Sequence, residues 1–136
     1  MGLAERRAAK NFETTLFPAL QKQVAEAAGF DVPIEVAWDT LAVADSAHLY
    51  DEAWPKVYFL PLVEAFKAIT IDAMGKDALK AALKKIVVVN KSGGYSPGSA
   101  YSFEGGTLTV DHESCTNVDD VQARAEHLQK LLEKAL

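Results

Sequence analysis

The chain has 136 residues, 49% apolar and 24% charged, a composition that supports a single globular domain over residues 1–136 and excludes a disordered or low-complexity protein. Fourteen basic against nineteen acidic residues give a formal net charge of −5, which argues against nucleic acid as a partner unless positive charge is concentrated in one place. No apolar run approaches the ~20 residues that span a bilayer, so no membrane is expected; the lone thiol of Cys115 and the absence of a secretory h-region in MGLAERRAAK point to the cytoplasm.

Residues 2–28 place Phe12, Leu16, Leu20 and Val24 at every fourth position, one face of a long N-terminal helix. Pro18 demands either a kink or a break near residue 14 that leaves it in the first turn of a second helix, capped by Thr14 or Thr15. Gly29 reads as the left-handed stop. Ile34 to Trp38 alternates like a half-buried strand, and residues 39–53 suggest short helical turns. Pro55 suits the start of a central helix with Phe59, Leu62, Val63, Phe66, Ile69 and Ala73 on its apolar stripe and Gly75 as its cap. Asp77 to Lys85 follows as a short helix, and the basic cluster of Lys76, Lys80, Lys84 and Lys85 reads as a solvated helix face.

Ile86 to Val89 is β-branched and apolar on both alternations, the pattern of a central strand covered on both faces. After a Gly/Ser/Pro loop over 90–99, Tyr101–Glu104 and Thr107–Val110 flank Gly105-Gly106, the turn of a type I′ hairpin in which Phe103 faces Leu108, Tyr101 faces Val110 and Ser102 faces Thr109. A last long helix starts after Asn117 as its cap and lines its core side with Val121, Ala125, Leu128, Leu132 and Ala135. The order of elements predicts an α+β domain, a small mixed or antiparallel sheet of about four strands with helices packed on it.

Asp111-His112-Glu113-Ser114-Cys115 is the densest set of reactive groups. A Cys115 nucleophile needs a base in reach, and His112 or His127 would serve; His112, Cys115, His127 and Asp111 are also acceptable zinc ligands, although their spacing is no known metal pattern, so neither metal nor cofactor is expected. His48 lies among carboxylates that would suit acid–base work. The glycine-rich loop over 90–99 has amides for an anion but matches no phosphate-binding fingerprint. Residues 30–55 carry Asp31, Glu35, Asp39, Asp45, Asp51 and Glu52 with no Lys or Arg, and Trp38, Tyr50 and Trp54 lie close by. This asymmetry favours a non-catalytic module that binds a basic protein partner through Asp39, Asp45, Asp51, Glu52 and Trp54. The alternative is a small enzyme or metal-binding protein centred on the Asp111–Cys115 loop.

Overall fold

The computed structural model of the chain describes residues 2–136. Helix α1 (Leu3–Thr15) and helix α2 (Phe17–Ala28) are separate: the chain breaks at Leu16, and Pro18 falls in the first turn of α2, where its missing N–H costs nothing. No threonine caps α2; the Thr14 and Thr15 hydroxyls donate back to carbonyls of α1, Thr15 to Asn11 at 2.6 Å. Gly29 ends α2 at φ 85°.

Strand β1 (Ile34–Val36) stops two residues earlier than its alternation predicts, because Trp38 opens the one-turn helix α3 (Trp38–Leu41) and turns its ring into the core. A single 3₁₀ turn over 47–49 leads into α4 (Tyr50–Trp54), then a π-type turn (Pro55–Phe59), then α5 (Leu60–Ile69). The central helix therefore starts five residues before Pro55 and absorbs two prolines by widening between them: the Leu60 N–H reaches back to the Pro55 carbonyl.

Gly75 does not cap this helix. Thr70 ends it, bonding its hydroxyl to the Ala27 carbonyl at 2.8 Å, and Gly75 lies inside α6 (Ala73–Ala82), whose N-cap Asp72 accepts the Gly75 amide at 2.8 Å. A Cβ at Gly75 would stand 1.7 Å from the Ile69 carbonyl oxygen. Only glycine lets the first turn of α6 press against the end of α5.

Strand β2 (Lys85–Val89), strand β3 (Tyr101–Glu104) and strand β4 (Thr107–Asp111) complete a four-stranded mixed sheet of order β1-β2-β4-β3. β1 and β4 run parallel to β2, and β3 is antiparallel to β4. The hairpin register is the one its turn demands, Tyr101 opposite Val110, Ser102 opposite Thr109 and Phe103 opposite Leu108. Two rows cross the sheet on its inner face, Ile34–Ile86–Leu108–Phe103 and Val36–Val88–Val110–Tyr101. These rows join the helices in one core.

The opposite face meets the expectation of a doubly covered strand only in part. β2 is central, but Val87 is only half-buried, in a row between exposed Glu35 and half-buried Thr109. Val89, on the same face as Val87, is buried, so this side of the strand is covered at its end and half-open in its middle. The last helix, α7 (Val121–Ala135), is preceded by Asp120 and not by Asn117. Asn117 sits at φ 53° and spends its side-chain amide on the Tyr95 carbonyl at 2.8 Å, so it belongs to the preceding turn.

Over the helical end of the core, Phe12 meets Trp54 edge-on at 5.1 Å between ring centroids, Tyr50 stacks on Trp54 at 4.2 Å, and Phe17 meets Trp38 edge-on at 5.1 Å. Such pairs add about 0.5–1.5 kcal/mol each beyond their burial. Among the described residues no helix is long and apolar enough to cross a membrane.

Because the obstruction at Gly75 is backbone, Gly75→Ala is expected to destabilise the domain by about 3 kcal/mol or more. Urea denaturation checks this; an unchanged midpoint would show that the α5–α6 corner is not as tight as described.

Candidate functional site

Where β4 leaves the sheet, its last residue and the next seven build a closed network. Asp111 accepts the amides of Lys91 at 2.9 Å and Ser92 at 3.1 Å, which fastens the 90–99 loop to the strand end. The His112 amide donates to the Val89 carbonyl and the Glu113 amide to the Gly94 carbonyl at 2.7 Å, so the segment continues to pair as it departs. The Glu113 carboxylate then turns inward along the chain, accepting the Cys115 amide at 2.9 Å and the Thr116 hydroxyl.

His112, Ser114 and Arg124 are the fully buried polar side chains here. His112 Nδ1 lies 2.5 Å from the Glu113 carbonyl oxygen; a carbonyl only accepts, so Nδ1 carries the proton and Nε2 is left to accept from Arg124 Nε at 3.4 Å. The remaining guanidinium nitrogens donate to backbone: Nη1 to Val118 O at 3.4 Å, and Nη2 to Thr116 O at 3.3 Å and to Asn117 O. Tyr58, from the π-type turn, donates its hydroxyl to the His112 carbonyl at 2.7 Å. Arg124 has no carboxylate among these partners.

This arrangement sets the protonation of the site. Burial pushes His112 below its ordinary 6.5, the bond to the Glu113 carbonyl opposes that, and the Arg124 charge reinforces it. Burial likewise pushes Arg124 down from 12.5, though guanidinium stays charged in proteins. Burial raises the Tyr58 phenol well above 10.

The structure separates the groups that a cysteine or zinc centre would have to unite. The Cys115 thiol is half-buried, its hydrogen-bonding contact is Ser114 Oγ at 3.6 Å, and no histidine hydrogen-bonds to it. Burial pushes this thiol up, the Ser114 hydroxyl partly offsets that, and the Glu113 charge adds to it, the reverse of thiolate activation. His127 is exposed on α7 against Gly98 and joins neither group. Both nitrogens of His112 are engaged, so it has no free lone pair for a substrate proton. Among the described residues no three of His, Cys, Asp and Glu converge as metal ligands.

Asp39, Asp45, Asp51 and Glu52 are all exposed, as is His48. Trp54 is not: it is fully buried between Phe12 and Tyr50, and Tyr50 is buried with it, so both rings serve the core. Trp54 therefore leaves the set of surface anchors. Its place is taken by residues that sequence reading passed over. Lys56 Nζ lies 3.4 Å from Glu52 Oε1 and 3.0 Å from Asp119 Oδ1, so the end of the loop before α7 joins the acidic segment. Asp119, first, and Glu52 hold the Lys56 ammonium above its ordinary range. A recess of about 130 Å³ opens beside this pair, lined by Leu49, Glu52, Ala53, Val118 and Asp119.

No family model, characterised protein or solved structure matches the chain.

The neutral, buried His112 has a consequence for stability. Its folded pKa is depressed, so as pH falls below 6.5 the unfolded chain takes up a proton that the folded chain refuses. This contribution to stability is complete above 6.5 and is lost toward acid by up to about 1.4 kcal/mol per pH unit until the folded pKa is reached. His112→Gln keeps a donor and an acceptor but cannot titrate. Urea unfolding of both proteins from pH 7.5 downward should show the variant less stable at neutral pH with the gap closing as pH falls; a constant gap would mean His112 titrates normally.

Proposed function

We propose that the chain is a non-catalytic cytoplasmic module that binds a basic segment of another protein through its acidic surface. The observation that carries this reading is the convergence at Lys56 of two acidic segments remote in sequence, Asp51-Glu52 and Asp119-Asp120. Asp39 and Asp45 are exposed carboxylates of the same stretch of sequence, and the segment from residue 30 to 55 contributes no lysine or arginine.

The recess beside Glu52 and Asp119 supplies shape as well as charge. Leu49, Ala53 and Val118 give it apolar walls and the two carboxylates give it a polar rim. A partner's lysine or arginine has the matching form, an apolar stem ending in a cation. Lys56 already holds an ammonium between these carboxylates, and an exposed pairing of that kind is weak enough to exchange for an incoming one. Complementary charge of this sort favours fast encounter and selects against acidic partners.

Catalysis or metal binding at Asp111–Cys115 finds less support, since His112 is consumed by structural bonds and the Cys115 thiol is raised, not lowered.

Panning a library of random dodecapeptides against the chain at low salt tests the reading. Selected peptides should be rich in Lys or Arg beside apolar residues. The Glu52→Gln/Asp119→Asn pair should weaken them by about tenfold or more, and added salt should weaken them further. Selection without basic enrichment, or binding indifferent to the double variant, would refute it.

A further inference from the structure

On the far side of the Arg124 network, α7 and the segment from Pro97 to Tyr101 enclose a second recess of about 270 Å³, lined by Pro97, Gly98, Tyr101, His127, Lys130, Leu131 and Lys134. We infer that this recess binds a small anion bearing a phosphoryl group, held by Lys130, Lys134 and His127. It is a separate site from the acidic surface and does not depend on that reading.

The charge of the recess is the first argument. Its lining contains three basic side chains and no acidic one, in a chain whose net charge is −5. His127, Lys130 and Lys134 follow one another at intervals of three and four residues, so they share one face of α7. None of the three has a salt bridge or side-chain hydrogen bond among the described residues. The carboxylates of the same helix are turned to glutamines: Gln122 donates to Glu126 at 3.4 Å and Gln129 to Glu133 at 2.8 Å. The lysines are thus left without the i,i+4 partners that a helix of this composition ordinarily offers them.

The opposite wall is suited to a ligand that approaches closely. Gly98 brings backbone against the imidazole, since a Cβ there would already touch His127 Cε1 at 3.5 Å. The loop is not loose: Asp111 holds its first residues, Gly94 accepts the Glu113 amide, and Asn117 donates to Tyr95. The wall is therefore preformed. Tyr101 contributes a hydroxyl that is buried and has no hydrogen-bond partner, close enough to Arg124 for the guanidinium charge to act on it. An unsatisfied hydroxyl and a buried cation thus lie behind the wall. The volume is slightly below the range of about 300–1,000 Å³ usual for drug-sized ligands, so a phosphate with a short carrier fits and a dinucleotide does not.

Amide NMR of the ¹⁵N-labelled chain, titrated with inorganic phosphate at constant ionic strength, tests the site. Saturable shifts are expected at Gly98, Tyr101, His127 and Lys130. Lys130→Gln/Lys134→Gln should weaken binding by about tenfold or more, whereas Lys76→Gln/Lys80→Gln on α6 should leave it unchanged. All four lysines are exposed, so both double variants are expected to fold. A parallel titration with glycerol phosphate distinguishes the source: tighter binding than inorganic phosphate assigns the site to a phosphorylated small molecule, and equal binding to the free anion. No saturable shift with either probe, shifts spread evenly over the lysines of α6 and α7, or equal weakening by the two double variants would overturn the proposal.

Discussion

A guanidinium buried without a carboxylate is the constraint around which the C-terminal half of this protein is arranged. Removing an ion from water costs several kcal/mol even after relaxation. Arg124 recovers that cost through donors aimed at His112 Nε2 and at the carbonyls of Thr116, Asn117 and Val118. Hydrogen bonds to a charged group are worth about 1.5–3 kcal/mol each, so four of them are of the right size to offset the desolvation, and losing the set is not tolerable. The three carbonyls come from consecutive residues. One side chain of α7 thereby fixes the path of the loop that leads into α7 itself.

Other features follow from that path. The loop's first residue, His112, is held in one tautomer between Arg124 and the Glu113 carbonyl, and its own carbonyl receives Tyr58 from the central helix. Asn117, forced into the left-handed region, reaches Tyr95 and ties down the glycine-rich loop. Asp119 is delivered beside Lys56 and Glu52, and the start of α7 is set so that Lys130 and Lys134 face Gly98 and Tyr101. Both candidate binding surfaces are thus positioned by a network that has no free valence for chemistry of its own. Within the most reactive-looking stretch of the sequence, Asp111, His112 and Glu113 are engaged in structural hydrogen bonds.

The sheet was legible because its signals are local. Gly105-Gly106 fixes the hairpin register by turn geometry, and β2 announces itself by four β-branched residues. What stayed hidden depends on long-range neighbours. Nothing in Ile86–Val89 says that one side of the sheet is covered only at Val89 and not at Val87, and nothing near Pro55 and Pro61 says that a helix can pass both by widening between them. Gly75 resembled a cap because glycine ends helices often; its actual role is steric and set by Ile69. Arg124 did leave a trace. It shares the stripe of Val121, Ala125, Leu128 and Leu132, where a charged residue is out of pattern, and a buried polar partner was the inference to draw from it. The acidic segment was visible by composition, whereas Asp119 joins it only through folding, and Trp54 leaves it because aromatic stacking with Phe12 and Tyr50 claims the ring.

The central claim is that Arg124 organises the 112–118 loop, and amide hydrogen exchange in the Arg124→Lys variant tests it most directly. Lysine keeps the charge but lacks the planar fork needed to reach three carbonyls and an imidazole together. The Glu113 and Cys115 amides, which bond to Gly94 and to the Glu113 side chain, should lose most of their protection, while Ile86–Val89 in the centre of the sheet keeps its own. Loop protection equal to that of the unaltered protein would show that the guanidinium rests in an already rigid loop and organises nothing.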